Sequence, residues 1–178
     1  KDKLETSELE KYNELGKNII CNNQYAVVTM SGGQGTRLGY DGPKGTFKID
    51  IRPESKYLFE ILADRLKEAN KKYNVTIPWY IMTSTENNDD IVEFFKLHKY
   101  FGYPKESIMF FEQGNLPLIT VDGKLIIGSN KKIKVAADGN GGIFKSMFKN
   151  SVLEDMKKRN IKWIFIGSID NVLLKLDD

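Results

Sequence analysis

The sequence has a single cysteine and a single histidine among its 178 residues. The lone cysteine, Cys21, excludes an internal disulfide framework and favours a reducing compartment such as the cytoplasm. The lone histidine, His98, excludes a histidine-rich metal site and a Ser-His-Asp triad of the usual kind. The chemistry of this protein must therefore come from other side chains or from the main chain.

Long apolar runs and a strong net charge are also missing. No apolar stretch approaches the ~20 residues that a membrane span needs. The first residues, KDKLETSELEK, are charged and polar, so we expect no signal peptide there. The net charge of +3 suits an anionic ligand but is too small to indicate nucleic-acid binding. We therefore expect neither a membrane nor a nucleic acid as a partner.

Strand-like segments recur along the chain. Apolar and β-branched runs predict strands at residues 25–30, 75–82, 108–112 and 161–169, with a short strand at 47–51 and a hairpin turn at Asp122-Gly123. Pro78 is unusual inside a central strand, because proline cannot donate a ladder hydrogen bond.

Helical segments lie between these strands. Leu4, Leu9, Tyr12 and Leu15 predict a first helix that ends near Gly16. Ser55 is expected to cap a helix that runs to Tyr73, and either Asn87 or Asn88 to cap the next. Residues 141–158 are helical in their later part. The alternation predicts a single α/β domain over 1–178, with a Rossmann-like mixed, mostly parallel sheet and helices on both faces.

A glycine-rich segment, MSGGQGTRLGYDGPKGTF at residues 30–47, directly follows the first predicted strand. Loops at the ends of strands bind ligands in open α/β sheets. Glycines lack a Cβ atom, so main-chain N–H groups can converge on phosphate oxygens or a base edge. Thr36, Arg37 and Lys44 add a hydroxyl, a guanidinium and an ammonium group as further donors. The candidate ligand-binding residues of the loop are therefore Gly32, Gly33, Gly35, Thr36, Arg37 and Lys44. The alternative is a turn that only reverses the chain.

Two familiar phosphate-binding motifs do not fit this segment. From Gly33 the pattern is G-x-G-x-x-x-G, with Leu38 where a dinucleotide fingerprint needs its third glycine. A Walker P-loop requires Gly-Lys-Ser/Thr, whereas here Pro43 precedes Lys44 and Gly45 follows it. The loop must therefore belong to another class of nucleotide or anion site, if it binds a ligand at all.

The segment SGGQGTRLGYDGPKGTF resembles the nucleotide loop of the UDP-N-acetylglucosamine pyrophosphorylases, the eukaryotic-type uridylyltransferases. Further similar segments follow in the same order: IMTS, EFFKLHKYFG, FFEQGNLP, DGNGG and IDNVLLK. The resemblance implies a nucleotide-diphospho-sugar transferase fold of the GT-A-like kind. It also implies the synthesis of UDP-N-acetylglucosamine and pyrophosphate from UTP and N-acetylglucosamine 1-phosphate, with Mg²⁺ as cofactor.

The resemblance implies roles for particular residues. In the loop, Gly32 and Gly33 would touch the uracil, with Gly35 and Thr36 also on the nucleotide. Arg37 and Lys44 would be catalytic, holding the triphosphate and stabilising charge as pyrophosphate leaves. Elsewhere, the resemblance implies that the Gln113 amide recognises the uracil edge and that Gly139 and Asn140 line the base, ribose and sugar. It also implies that the Asp170 carboxylate binds Mg²⁺.

Taken by themselves, these last residues also have simpler explanations. Asp170-Asn171 can form a turn after a strand, and so can Gln113-Gly114. The DGNGG segment is turn-like in composition and can also cap the next helix. His98 has no implied role, which agrees with a reaction whose nucleophile, a phosphate oxygen, needs no general base.

Two other functions stay open at this stage. Gln34 and Arg37 favour the N-acetylhexosamine branch of the resemblance, but UDP-glucose synthesis or a broad-specificity uridylyltransferase is an alternative. In another class, the chain would be a UTP-binding module without turnover. We expect residues 1–178 to be the nucleotide-binding part of a longer enzyme that lacks most of the sugar pocket, so the isolated chain can be inactive.

Overall fold

The computed structural model describes residues 6–51 and 53–176. Five helices and eight strands are assigned within these ranges. The helices are α1 (Thr6–Cys21), α2 (Leu58–Tyr73), α3 (Asn88–Leu97), α4 (Ile143–Lys149) and α5 (Val152–Lys158). The strands are β1 (Tyr25–Met30), β2 (Lys48–Ile51), β3 (Glu54–Tyr57), β4 (Trp79–Thr83), β5 (Ile108–Glu112), β6 (Asn115–Pro117), β7 (Val135–Ala137) and β8 (Trp163–Ser168).

The central sheet has four strands in the order β5-β4-β1-β8, and every neighbouring pair in it is parallel. Two antiparallel pairs, β2–β3 and β6–β7, stand apart from it. The α/β fold class is therefore confirmed, with the antiparallel strands outside the main sheet. Because β1 lies between β4 and β8, the chain reverses its direction of winding at β1, where open sheets leave a ligand crevice.

Successive side chains of the strands pack on opposite faces of the sheet, because side chains alternate along a strand. Val27, Trp79 and Ile81 face a core shared with α1, α2 and α3. Val28 and Tyr80 face a second core, which α4 and α5 cover. Helices thus lie on both faces, as the alternating pattern predicts.

Several predicted boundaries are corrected by the structure. The first helix does not end near Gly16 but continues to Cys21, and Leu4 lies outside the described residues. Burial of Ile20 stabilises that last turn by more than the ~1 kcal/mol cost of a helical glycine. Ser55 does not cap α2, because it lies in β3 opposite Asp50. Pro78 falls just before β4 and not inside it.

The remaining elements fit the predictions with smaller changes. The turn at Asp122-Gly123 is confirmed, where the Thr120 N–H donates to the Lys124 carbonyl at 2.8 Å. The helical segment after 141 is split into α4 and α5, because Ser151 adopts a left-handed conformation with φ of 58°. No helix within the described ranges is both long and apolar enough to cross a membrane.

Candidate functional site

The carboxyl edge of the sheet brings four connections together. The glycine loop, residues 31–46, follows β1, and the turn 84–87 follows β4. Gln113 follows β5, and Asp170 lies two residues beyond the end of β8. Since parallel strands place their carboxyl ends on one edge, predicted site residues far apart in sequence lie at the same end of the molecule.

The glycine loop is fixed to the sheet at both of its ends. At its start, the Ser31 N–H and hydroxyl both donate to the Met82 carbonyl, at 2.8 and 2.9 Å. Across the loop, the Lys44 N–H donates to the Gly33 carbonyl at 3.0 Å. At its end, a Cβ atom on Gly45 would lie 2.1 Å from the buried Phe59 ring. The loop therefore has a defined shape without a ligand.

Main-chain donors of the loop are left without acceptors. Within residues 6–51 and 53–176, no hydrogen-bond acceptor is found for the N–H groups of Gly32, Gly33, Gln34, Thr36 and Arg37. The side chains of Thr36 and Arg37 are exposed. Clusters of unpaired N–H groups next to a cation are a typical setting for binding phosphate oxygens. The loop can thus offer an anion several donors at once.

Lys44 and Asp170 form an ion pair in which Nζ and Oδ1 are 2.5 Å apart. The lysine side chain is 18% exposed and the carboxylate 55% exposed, so the pair opens to solvent on the aspartate side. The Ser168 hydroxyl donates to the other carboxylate oxygen of Asp170 at 3.3 Å. Two predicted site residues, one after β1 and one after β8, are therefore in direct contact.

Gln113 is buried, and its N–H donates to the Thr83 carbonyl at 2.8 Å. Its side-chain amide lies against Gly32, where a Cβ atom would be only 2.6 Å from Nε2. Glycine is therefore required at position 32 for this contact. The structure thus joins the predicted base-recognition residues Gly32 and Gln113.

Gly139 and Asn140 lie at the start of the turn that leads into α4, and both are exposed. Gly139 has φ of 81°, which favours glycine. No hydrogen bond joins either residue to the glycine loop in the part of the chain that the structure describes. These two residues share the carboxyl end of the fold, but among the described residues no hydrogen bond joins them to Lys44 or Gln113.

Asp138 connects this turn to the loop after β5, and sequence reasoning assigned it no role. Its N–H donates to the Gly114 carbonyl at 2.9 Å. Its carboxylate lies between two glycines, since Cβ atoms on Gly114 and Gly142 would be 2.2 and 2.3 Å from its oxygens. Within the described residues, buried Oδ1 of Asp138 has no hydrogen-bond partner.

Asn87 is the second residue that the sequence pattern did not identify as part of the site. It occupies the cap position of α3, but its side chain makes no capping hydrogen bond. Instead, Nδ2 donates to the Gly32 carbonyl at 3.1 Å. The only sequence signal was the helix start, which predicts a cap and says nothing about a contact with the glycine loop.

Other features do not contribute to this edge. His98 packs against the rings of Tyr57, Phe94 and Phe101, as expected for a packing residue. Two large clefts lie along α2 and between α1 and the start of β8, and neither contains a predicted site residue. In the described ranges there is no cluster of three or more acidic, histidine or cysteine side chains that would hold a metal alone.

Comparison with known proteins gives a consistent result. UDP-N-acetylglucosamine diphosphorylase 2 of Arabidopsis thaliana is 41% identical over 180 residues, which cover 95% of this chain and 36% of the plant protein. UDP-N-acetylglucosamine pyrophosphorylase of Saccharomyces cerevisiae is 41% identical over 172 residues, covering 94% of this chain and 36% of the yeast protein. This chain therefore spans about a third of the length of these relatives.

A solved structure has the same architecture. The uridine diphosphate N-acetylglucosamine pyrophosphorylase of Trypanosoma brucei, crystallised with an inhibitor, superposes with a TM-score of 0.88 at 28% identity, covering 97% of this chain and 37% of that one. The model of the UTP–glucose-1-phosphate uridylyltransferase family matches residues 1–178. From its sequence and its fold, the chain belongs to the UTP–glucose-1-phosphate uridylyltransferase family.

Proposed function

We propose that this chain is the UTP-binding part of a uridylyltransferase that forms UDP-N-acetylglucosamine and pyrophosphate from UTP and N-acetylglucosamine 1-phosphate. The observation that carries the proposal is the Lys44–Asp170 ion pair beside a glycine loop in which five N–H groups find no acceptor among the described residues. A cation, a carboxylate and free main-chain donors are what a triphosphate with a divalent cation requires.

The base end of the site is supported by Gly32 and Gln113. Uracil presents two carbonyl oxygens and one N–H at its edge, and a glutamine amide offers both a donor and an acceptor. Gln113 packs on Gly32, and the following residue, Gly33, is exposed. Gly139 and Asn140 are proposed to line the ribose and the sugar.

The phosphate end is supported by Thr36, Arg37 and Lys44, and Gly35 is proposed to shape the loop there, because its N–H already donates to the Gly42 carbonyl at 2.8 Å. In the proposed reaction, an oxygen of the sugar phosphate attacks the α-phosphorus of UTP, and the bond to the β-phosphate oxygen breaks to release pyrophosphate. The attacking oxygen is already anionic at neutral pH, so no side chain has to remove a proton. Arg37 and Lys44 would align the phosphates and neutralise the negative charge that develops on them.

The donors at this site fit a magnesium ion that the protein carboxylate and the substrate phosphates would bind together. Mg²⁺ is commonly held by one or two carboxylates together with substrate phosphates and water. Asp170 supplies one such carboxylate, which is half exposed. When bound there, the ion would supply additional positive charge to the phosphates. The ion pair with Lys44 holds this carboxylate beside the glycine loop.

We propose N-acetylglucosamine 1-phosphate as the sugar substrate for two reasons. The loop contains Gln34 and Arg37, which favour the N-acetylhexosamine branch, and the two relatives that are 41% identical are UDP-N-acetylglucosamine pyrophosphorylases or diphosphorylases. UDP-glucose synthesis or broad specificity is the alternative within this class, and the family model carries the glucose name. The one cysteine, which is free and exposed, supports a cytoplasmic location.

The proposal is tested by Lys44→Ala and Asp170→Ala in the product of the complete reading frame. Pyrophosphate release from UTP and N-acetylglucosamine 1-phosphate should fall by about a hundredfold or more in each variant, because charge stabilisation in the transition state is lost. The matched control is Lys124→Ala with Asp122→Ala, an exposed ion pair of 3.0 Å far along the chain from the loop.

Near-normal turnover in both Lys44→Ala and Asp170→Ala, with circular dichroism unchanged, would refute the site assignment. The alternative of a binding module makes a different prediction: UTP would protect the protein against thermal unfolding, but no pyrophosphate would be released by the unmodified protein. Equal protection by UTP and ATP would remove Gln113 from its proposed role in base recognition.

A further inference from the structure

Asn87 is a fully buried amide at the carboxyl edge of the sheet, beyond the end of β4. Its Oδ1 accepts from the Ser84 N–H at 2.8 Å, and its Nδ2 donates to the Gly32 carbonyl at 3.1 Å. The two partners fix the orientation of the amide, because an N–H group requires the oxygen and a carbonyl requires the nitrogen. Asn87 therefore connects the turn after β4 to the glycine loop after β1.

Gly32, the residue that Asn87 holds, is also the residue that packs on Gln113. A Cβ atom at position 32 would lie between 2.6 and 2.9 Å from the three terminal atoms of the Gln113 amide. The main chain of Gly32 is therefore fixed between two buried amides, one from the turn after β4 and one from the end of β5. A displacement of this peptide would change the surroundings of Gln113 directly.

The hydrogen bond to Gly32 also sets the direction of the next N–H group. In a planar trans peptide the carbonyl and the following N–H point to opposite sides. Because the Gly32 carbonyl points toward Asn87, the Gly33 N–H points away from it. That N–H has no acceptor within residues 6–51 and 53–176. Asn87 thus sets the direction of this N–H, which belongs to the residue directly after the glycine that packs on Gln113.

We infer that Asn87 is a positioning residue for base recognition: its buried amide holds the Gly32–Gly33 peptide against Gln113 and so determines the preference for uracil. The inference rests on the proposed function, because it takes UTP as the ligand of this edge. Asn87 acts through Gly32 and need not touch the nucleotide. The requirement is for an amide, since the side chain must accept from Ser84 and donate to Gly32 at the same time.

The test uses Asn87→Asp, which keeps the size and the acceptor but cannot donate to the Gly32 carbonyl. UTP and CTP affinities of the chain are measured by titration calorimetry. We expect the variant to bind UTP about tenfold more weakly, as for the loss of one buried donor. The ratio of CTP to UTP dissociation constants should fall toward one, because the two bases differ at the edge that Gln113 would recognise.

The matched control is Asn88→Asp, which introduces the same charge one residue later. The Asn88 side chain donates to the Asp89 carboxylate at 3.2 Å and accepts from the Thr83 hydroxyl at 2.9 Å, and within the described residues it makes no hydrogen bond with the glycine loop. We expect this variant to keep both the UTP affinity and the ratio. If Asn87→Asp does not fold, as judged by circular dichroism, Asn87→Ala replaces it, with the same expected loss of preference.

The possible outcomes separate the two proposals. Wild-type protein that binds UTP and CTP equally would refute the proposed recognition of uracil. Wild-type preference for UTP together with an unchanged ratio in the Asn87 variants would refute the positioning role alone. An equal loss of affinity for both nucleotides would also refute it, because a merely structural effect weakens binding without changing the selectivity.

Discussion

The amino and carboxyl edges of the four-stranded sheet differ in how far their polar groups are paired by hydrogen bonds. At the amino edge, the Tyr103 hydroxyl donates to the Ile77 carbonyl, and the Ile77 N–H donates to the Asn70 side chain at 2.9 Å. The Tyr25 hydroxyl likewise donates to the carbonyl of Leu176. These groups are buried or half-buried and paired with each other.

At the carboxyl edge, polar groups are fixed in place but left available. The glycine loop is anchored through Ser31 and Gly45, while neighbouring N–H groups lack acceptors among the residues that the structure describes. The difference indicates a division of roles. Paired groups at the amino edge contribute to stability, whereas unpaired donors at the carboxyl edge contribute little to stability and are suited to bind a ligand.

The largest effect on stability is expected where the glycine loop meets the core. In Gly45→Ala the new Cβ atom would lie 2.1 Å from Cε2 of Phe59, a fully buried ring that cannot move without repacking. We expect the free energy of unfolding to fall by about 3 kcal/mol, at the upper end for an overpacked core. Denaturant unfolding measures it, and an unchanged midpoint would contradict the anchoring of the loop.

A smaller effect is expected at the amino edge. Tyr103→Phe removes the hydroxyl that donates a hydrogen bond to the Ile77 carbonyl, so that carbonyl loses this donor. We expect a loss of about 1–2 kcal/mol in the free energy of unfolding, with UTP affinity unchanged. A comparable loss in Tyr12→Phe, where the side chain is 55% exposed, would show that the effect is not specific to the amino edge.

The same tyrosine predicts a pH dependence. Burial raises the pKa of Tyr103 to about 12 from its ordinary 10.0, against a smaller lowering by the hydrogen bond from Asn70. Below about pH 10 both states keep the proton, and the contribution of Tyr103 is fully present. As the pH rises from 10 to 12 the unfolded chain loses its proton first, so stability falls. Unfolding curves at pH 9.5 and 11.5 should show a smaller decrease for Tyr103→Phe than for the wild type.

The smallest effect on stability is expected at the open part of the glycine loop. In Gly33→Ala the Cβ atom meets nothing within 4 Å, so the free energy of unfolding should change by less than about 1 kcal/mol. UTP binding should nevertheless weaken by about tenfold, because the methyl group would occupy space that the ligand needs. Calorimetry with both proteins measures it, and an unchanged affinity would place the nucleotide elsewhere.

Much of the fold could be predicted because its signals are local. The runs at Tyr25–Met30 and Ile108–Glu112 were predicted with the boundaries that the structure has, since each is an apolar stretch bounded by polar residues. Helix boundaries were less accurate. Ser55 looks like a cap in sequence, but pairing of β3 with β2 places it in a strand.

The residues of the candidate site were likewise predicted in part, whereas other contacts are seen only in the structure. The glycine loop was predicted from its composition and its place after a strand, and Gln113 and Asp170 from the family resemblance; the structure places all three at the carboxyl edge of the sheet. The contacts of Asn87 and Asp138 could not, because their partners are distant in sequence and nothing in the neighbouring residues indicates them. Their roles, like those of the loop residues, are predictions that the experiments above test.

The order of strands and helices, the α/β class and the residues with suitable chemistry could be inferred from the sequence, because these depend on short-range patterns of hydrophobicity and glycine. Three-dimensional packing was needed to bring Lys44 to Asp170, to place Gly32 between Asn87 and Gln113, and to leave several loop N–H groups without acceptors among the described residues. Such contacts depend on how parallel strands order themselves in the sheet, which brings the ends of distant segments to one edge.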